Sequence, residues 1–199
     1  MAGKVVITIG REFGSEGHEI GRELAERLEI AMYDRDLLTM AAQKSGIAVE
    51  TLAGADEKVA SRFLEPYLPS GIDQVSLNDK LFREQSEIIL NVAEKESCVI
   101  IGRCADYILK DVPNCINVFI YAPFEDRVQI VKNKHQISDE AAKKLVKRMD
   151  AARNSYYSYY ADRNWNQKEG KDILLNRSTF GIEGCVNILE AMARKMMED

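Results

Sequence analysis

The sequence predicts an α/β fold in which a parallel sheet is covered by helices on both faces. Three observations predict it. Short, nearly continuous β-branched runs recur along the chain, as in strands buried on both sides. Between them lie segments whose apolar residues return every three to four positions, the period of a helix. The two kinds alternate from end to end, and that alternation builds a parallel sheet.

The first run is Lys4 to Gly10 (KVVITIG), a buried-type strand. Glycines follow at Gly14 and Gly17, and then Ile20, Leu24 and Leu28 mark one face of a helix. A short stretch, Ile30 to Tyr33, leads to Asp34. From Asp36 to about Glu96 the chain reads as helical and polar, with one helix opened by Asp36 and ended by Gly46. Glu65 to Ser76, with Pro66, Pro69 and Gly71, reads as loop. From Asn78 a longer helix carries Leu81, Phe82, Ile88, Ile89 and Val92. Cys98 to Gly102 (CVIIG) is another strand, followed by a helix through Tyr107 and Ile108. Cys115 to Tyr121 (CINVFIY) is a further strand, after which Pro123 starts a helix where proline costs least. Ser138 caps the next helix, with Asp139 and Glu140 in its first turn, and that helix runs to about Tyr160. Asp172 to Asn176 (DILLN) is the last strand, and Ile182, Val186, Leu189, Met192 and Met196 line the final helix. The helical inserts before Cys98 and after Ala122 read as lobes on a single core.

Composition excludes several classes. The chain has 199 residues, enough to bury a core without staples, and its 46% hydrophobic and 30% charged residues are ordinary for a globular protein. A net charge of −5, from 32 acids against 27 bases, argues against a nucleic-acid partner. Cys98, Cys104, Cys115 and Cys185 have no CxxC spacing, and only His18 and His135 accompany them, so neither a structural zinc nor a disulfide framework is expected. No apolar stretch approaches the ~20 residues of a membrane span. A cytoplasmic protein with free thiols and no membrane partner is the expectation, with self-association as a homodimer left open.

The first strand, the glycines and the helix after them have the order of a phosphate-binding turn. Glycine lets backbone N–H groups approach an anion, and the helix N-terminus supplies unpaired N–H groups and partial positive charge. The pattern is not the standard GxxxxGK[ST]. With Gly17 as the glycine before the lysine, His18 holds the lysine position, Glu19 the Ser/Thr position and Glu12 that of the first glycine. The acids Glu12, Glu16 and Glu19 weaken an anion site, while Arg11 and Arg22 can restore positive charge. An ordinary glycine-rich strand–helix connection is the competing reading of this stretch.

Five blocks in order extend the pattern: ITIGREFGSEGHEIGRELAERL, YDRDLL, CVIIGRCADYIL, NVFIYAPFEDRV and ARNSYYSYY. Together they resemble the cytidylate kinase-like family, relatives of the nucleoside monophosphate kinases, from Lys4 to about Met192. The resemblance implies a P-loop NTPase-type core with a parallel five-stranded sheet. Over a single domain, residues 1–199, it implies a core of 1–35, 97–132 and 166–199. A helical NMP-binding insert would span about 36–96 and a lid about 133–165. It implies a phosphotransferase that moves the γ-phosphoryl group of ATP, with Mg²⁺, to CMP, dCMP or a similar nucleotide.

On the matching positions, Arg11, Gly14, Ser15, Glu16, Gly17 and Glu19 are the candidate cofactor-binding residues of the turn. Asp34, Arg35, Gly102 and Asp106 are the candidate substrate-binding residues, Asp106 being displaced along its GR-x-x-D block. His18, Arg103, Arg148 and Arg153 are the candidate catalytic residues, the last two on the expected lid helix. Arg103 directly follows a strand, at the carboxyl end where ligands bind in α/β sheets. The metal ligands are not identified; Ser15, Glu19 and Asp34 are the oxygen-bearing candidates.

Phosphoryl transfer rests on positioning and charge neutralisation, and arginines can bridge donor and acceptor phosphates bidentately. Tyr156 and Tyr160 sit i,i+4 on the expected lid helix and read as packing residues. The run Lys143, Lys144 and Lys147 reads as a solvated face, and Cys104 as an inert thiol. Two other readings stay open: a nucleotide-binding or regulatory protein with weak or lost kinase activity, because His18 and Glu19 replace the lysine and Ser/Thr, and a kinase for a non-nucleotide acceptor. If His18 acts as the cation of the turn, saturated turnover rises as pH falls from about 8 to about 6, since the role needs a charged imidazole. A flat rate over that interval removes His18 from the role.

Overall fold

The computed structural model describes residues 3–34, 73–161, 163–165 and 167–198. In chain order the elements are β1 (Val6–Arg11), α1 (Gly17–Leu28), β2 (Ala31–Tyr33), α2 (Asp73–Lys95), β3 (Cys98–Ile101), α3 (Ala105–Ile108), β4 (Cys115–Tyr121), α4 (Phe124–His135), α5 (Asp139–Ala161), β5 (Ile173–Asn176) and α6 (Arg177–Glu198). The five strands form one all-parallel sheet, ordered β2-β3-β1-β4-β5. Ser138 caps α5 as the sequence predicts, its Oγ accepting a 3.2 Å hydrogen bond from the Ala141 N–H.

Some boundaries differ from the sequence reading. β1 starts two residues later, at Val6, and ends one later, at Arg11, because Arg11 still pairs with β4 opposite Ile120. Pro123 is the N-cap of α4, with Phe124 as its first helical residue. The expected loop at Glu65–Ser76 is already helical from Asp73, where α2 begins. α6 starts directly after β5 but breaks at Gly181 (φ 68°, ψ 178°), so one short turn precedes the main helix. Arg35, the helix placed between Asp36 and Gly46, and the first part of the Glu65–Ser76 segment lie outside the described residues.

The continuous apolar runs follow from burial on both faces. Ile7 and Ile9 of β1, and Val5 just before it, face α1 and α6, where they meet Ile20, Leu24, Val186 and Leu189. Val6, between them, faces Ile89, Val92 and Leu109 of the opposite layer. Side chains alternate faces along a strand, so two covered faces demand apolar residues at every position. Each fully buried aliphatic side chain contributes about 1.5–3 kcal/mol. Among the described residues no helix is long and apolar enough to cross a membrane.

A third layer ties the glycine turn to the rest. Arg127, on α4, is buried, with 7% of its side chain exposed. Its Nε lies 3.1 Å from Glu12 Oε2 and donates to the Ala122 carbonyl at 3.0 Å. Its Nη1 donates to the Phe13 carbonyl at 3.1 Å and to Asp150 Oδ2 at 2.6 Å. Asp150 also accepts the Phe13 N–H at 2.8 Å. One guanidinium therefore joins the turn, the end of β4 and helix α5. Gly14 (φ 83°) lies so close that a Cβ there would stand 2.8 Å from the Arg127 carbonyl oxygen. Removing the buried cation leaves its carboxylates, 21% and 24% exposed, charged and only partly hydrated. Arg127→Ala is expected to lower the unfolding free energy in urea by about 3–5 kcal/mol. A loss no larger than that of an exposed pair, about 1 kcal/mol, would show that Glu12 and Asp150 find other partners.

Candidate active site

Sheet register brings the charged candidates to one edge. Ile9 pairs with Ile101, so Arg11 and Arg103, each two residues on, leave the sheet at the same height. Tyr33 pairs with Ile100, which sets Asp34 level with Ile101. All lie at the carboxyl ends of parallel strands, the place where α/β sheets bind ligands.

There Asp34 is the hub. Its Oδ2 lies 3.1 Å from Nε2 of His18, on the first turn of α1, and its Oδ1 lies 3.9 Å from Arg11 Nη2. Arg153 reaches in from α5 and donates to the Arg11 carbonyl at 2.8 Å, with its guanidinium 5.4 Å from the Phe13 ring centroid. Burial, reinforced by the charge of Arg11, pushes the Arg153 pKa down to about 9; Asp150 and Asp34 oppose this and Arg103 adds to it. Arg153 thus remains a cation at neutral pH, crowded by like charges. Asp150 and Arg153 are three residues apart on one helix face, so the contact that clamps α5 to the turn also aims Arg153.

Backbone strain marks the same spot. Gly102, Arg103 and Cys104 follow one another at φ 70°, 57° and 56°. A left-handed non-glycine residue costs roughly 1–2 kcal/mol, and such strain concentrates at functional sites. A methyl group on Gly102 would run into the Arg11 guanidinium, so glycine lets Arg11 lie across the end of β3. Cys104 is buried, and burial pushes its thiol pKa up, in keeping with an inert group.

The acids of the turn do not act as the sequence suggests. Glu12 pairs with Arg127, Glu16 with Arg177 of α6, and Glu19 with Lys134 of α4 at 2.5 Å. Burial raises the Glu12 carboxyl pKa overall, against the Ala122 N–H and Arg127. At Glu19 burial also acts upward, but the Lys134 hydrogen bond and charge outweigh it and hold the carboxyl below its ordinary value. Each acid is answered by a cation from a distant segment, so the turn does not confront a ligand with three bare carboxylates.

Other expected residues stand elsewhere. Asp106 does not join the cluster: it pairs with Lys171, whose side chain is 2% exposed, and accepts a 2.7 Å hydrogen bond from the Tyr157 hydroxyl. The Ser15 hydroxyl is buried and donates to the Glu12 carbonyl at 2.9 Å or that of Ile120 at 3.2 Å, so it shapes the turn. Arg148 is exposed on α5, about 140° around the helix from Arg153. Tyr156 and Tyr160 pack, Tyr160 stacking on Phe82 of α2 at 3.8 Å. Sequence reasoning passed over Arg127, Asp150, Lys134 and Arg177. The available signal was the i,i+3 spacing of Asp150 and Arg153.

The sequence pattern of the cytidylate kinase-like family matches residues 6–179. The chain belongs to that family. Cytidylate kinase-like membership supports a kinase-like function on a nucleotide or other small molecule. No curated protein matches the chain in sequence. Among solved structures, an uncharacterized protein from Eubacterium ventriosum ATCC 27560 is 26% identical with a TM-score of 0.72, over 96% of this chain and 98% of that one. A gluconokinase from Sinorhizobium meliloti 1021 (12% identity, TM-score 0.57, 100% and 96% covered) shares the fold. So does a shikimate kinase from Bacteroides thetaiotaomicron (14%, 0.55, 94% and 97%). The sheet with its flanking helices is thus that of the P-loop kinases.

Arg103 is expected to grip an acceptor anion at this edge. Arg103→Ala should raise the acceptor KM or abolish turnover, measured by initial rates across acceptor concentrations; unchanged kinetics would sink the assignment.

Proposed function

We propose that this cytidylate kinase-like chain is a nucleoside monophosphate kinase that transfers the γ-phosphoryl group of ATP to CMP, dCMP or a similar acceptor. The observation that carries this reading is the convergence of Arg11, His18 and Arg153 on Asp34 and the turn after β1, with Arg103 leaving the sheet beside them. Guanidinium groups recognise phosphate oxygens bidentately. A site in which arginines crowd one another is relieved by a phosphate dianion.

The glycine turn and the N-terminus of α1 would receive the ATP phosphates. Arg103 and Arg153 would hold acceptor and donor phosphates at the distance transfer requires, and Asp34 orients Arg11 and His18 against them. Arg148 and Arg35 belong to the same proposal as arginines brought to the phosphates from the lid and the acceptor insert. Among the described residues no three His, Cys, Asp or Glu side chains could hold a metal. An Mg²⁺ would enter on the ATP phosphates, and Asp34 is the carboxylate of the cluster that would face it. Residence in the cytoplasm belongs to this reading too.

A second reading, a nucleotide-binding or regulatory protein with weak or lost activity, is favoured by one observation. His18 is drawn onto Asp34 while Glu19 stands where a metal-binding hydroxyl is usual. Incubating the chain with MgATP and a panel of nucleoside monophosphates, and measuring ADP, separates the two. ADP release with CMP or dCMP is the expected result. Tight nucleotide binding without turnover on any acceptor would overturn the kinase reading in favour of the second.

A further inference from the structure

The three cations that answer the acids of the turn are not alike. Arg127 and Arg177 are largely enclosed, with side chains 7% and 25% exposed. Lys134 is 62% exposed, and its Nζ lies 2.5 Å from Glu19 Oε1. An ammonium carries three donors; the Glu19 oxygen takes one, and the exposed head leaves others facing outward.

The position of this pair matters. Glu19 occupies the Ser/Thr place of the phosphate turn, immediately after the place where a lysine is missing. The side chain in the lysine place, His18, is turned onto Asp34 at 3.1 Å, on the Arg11 side. Lys134 enters from α4, which is held across the turn at two points. Gly14 lies against the Arg127 carbonyl and Val131, and the His135 ring stacks with Phe13 at a centroid distance of 6.3 Å and 25° between planes. The last turn of α4 is therefore fixed relative to the glycine turn.

We propose that Lys134 replaces the absent lysine of the phosphate turn: aimed by Glu19, its ammonium contacts the terminal phosphate oxygens of a nucleoside polyphosphate seated on the turn between Gly10 and Gly21. This inference rests on the kinase reading above. In the transfer an oxygen of the acceptor phosphate bonds to the γ-phosphorus while the bond from that phosphorus to the β–γ bridging oxygen breaks, its electron pair leaving with ADP. Lys134 keeps its proton throughout and acts by its charge. Glu19 is a positioning residue.

The test uses the full chain and the variants Lys134→Ala, Lys134→Arg, Glu19→Gln and Lys132→Ala. ATP and AMP affinities come from calorimetry, initial rates from ADP release, and thermal melts check that the exposed substitutions leave the fold intact. Lys134→Ala should weaken ATP binding about ten- to a hundredfold, the range of a charge-assisted hydrogen bond. AMP affinity and acceptor KM should stay unchanged, and Lys134→Arg should restore most of the loss. Glu19→Gln should raise the ATP KM with little change in the acceptor KM. Lys132→Ala, on the same helix, should leave ATP binding unaltered. Full ATP affinity in Lys134→Ala, or an equal loss in Lys132→Ala, overturns the inference alone. A wild-type chain that binds no ATP overturns the kinase reading and this inference with it.

Discussion

The buried guanidinium of Arg127 is the interaction on which the rest of the site depends. A charge in a dry interior is tolerated only when its hydrogen bonds are met. Here two carboxylates and two backbone carbonyls meet them. Those partners come from the glycine turn, the end of β4 and helix α5, so the need to satisfy one cation fixes three segments at once. The turn gets its shape from this demand, and glycine at position 14 is what lets α4 come close enough to supply the cation.

The same arrangement sets the electrostatics. Glu12, Glu16 and Glu19 lie within eight residues, and alone they would repel phosphate. Paired with Arg127, Arg177 and Lys134, they become anchors that draw α4 and α6 to the turn. What faces the carboxyl edge of the sheet is then the cationic group around Asp34. Arg153 belongs to that group because Asp150, one turn earlier on α5, is itself held by Arg127. Clamp and clamped residue share a helix face, so the contact that fixes one also fixes where the other starts.

The fold was legible for a simple reason. Strands covered on both faces are apolar at every position, and Val5, Val6 and Ile7 each found a layer to enter. The periodicity of Ile20, Leu24 and Leu28 likewise matched the buried face of α1. Arg11, His18, Asp34, Arg103 and Arg153, which the structure brings near one another, stood out in the sequence because they follow strands or open and line helices in recognisable blocks. Asp106 stands apart from that group, and a block match, which records residue type and spacing, carries no sign of it. It cannot show that Lys171, 65 residues away, would claim the carboxylate. Nothing local tells, either, that the Ser15 hydroxyl turns inward to the Ile120 carbonyl.

By itself the sequence determined the class of fold, the order of its elements, the glycine turn and the family, because burial and backbone freedom act locally and leave periodic marks. Only the tertiary structure decided which charges meet. Arg127 with Glu12, Arg177 with Glu16, Lys134 with Glu19 and His18 with Asp34 are pairings across the chain. Coulomb attraction depends on distance in space and on burial, and neither is written in the spacing of residues along the chain. The opening turn therefore has the outline of a phosphate-binding turn in the sequence, and its charge is an outcome of how α4, α5 and α6 close around it.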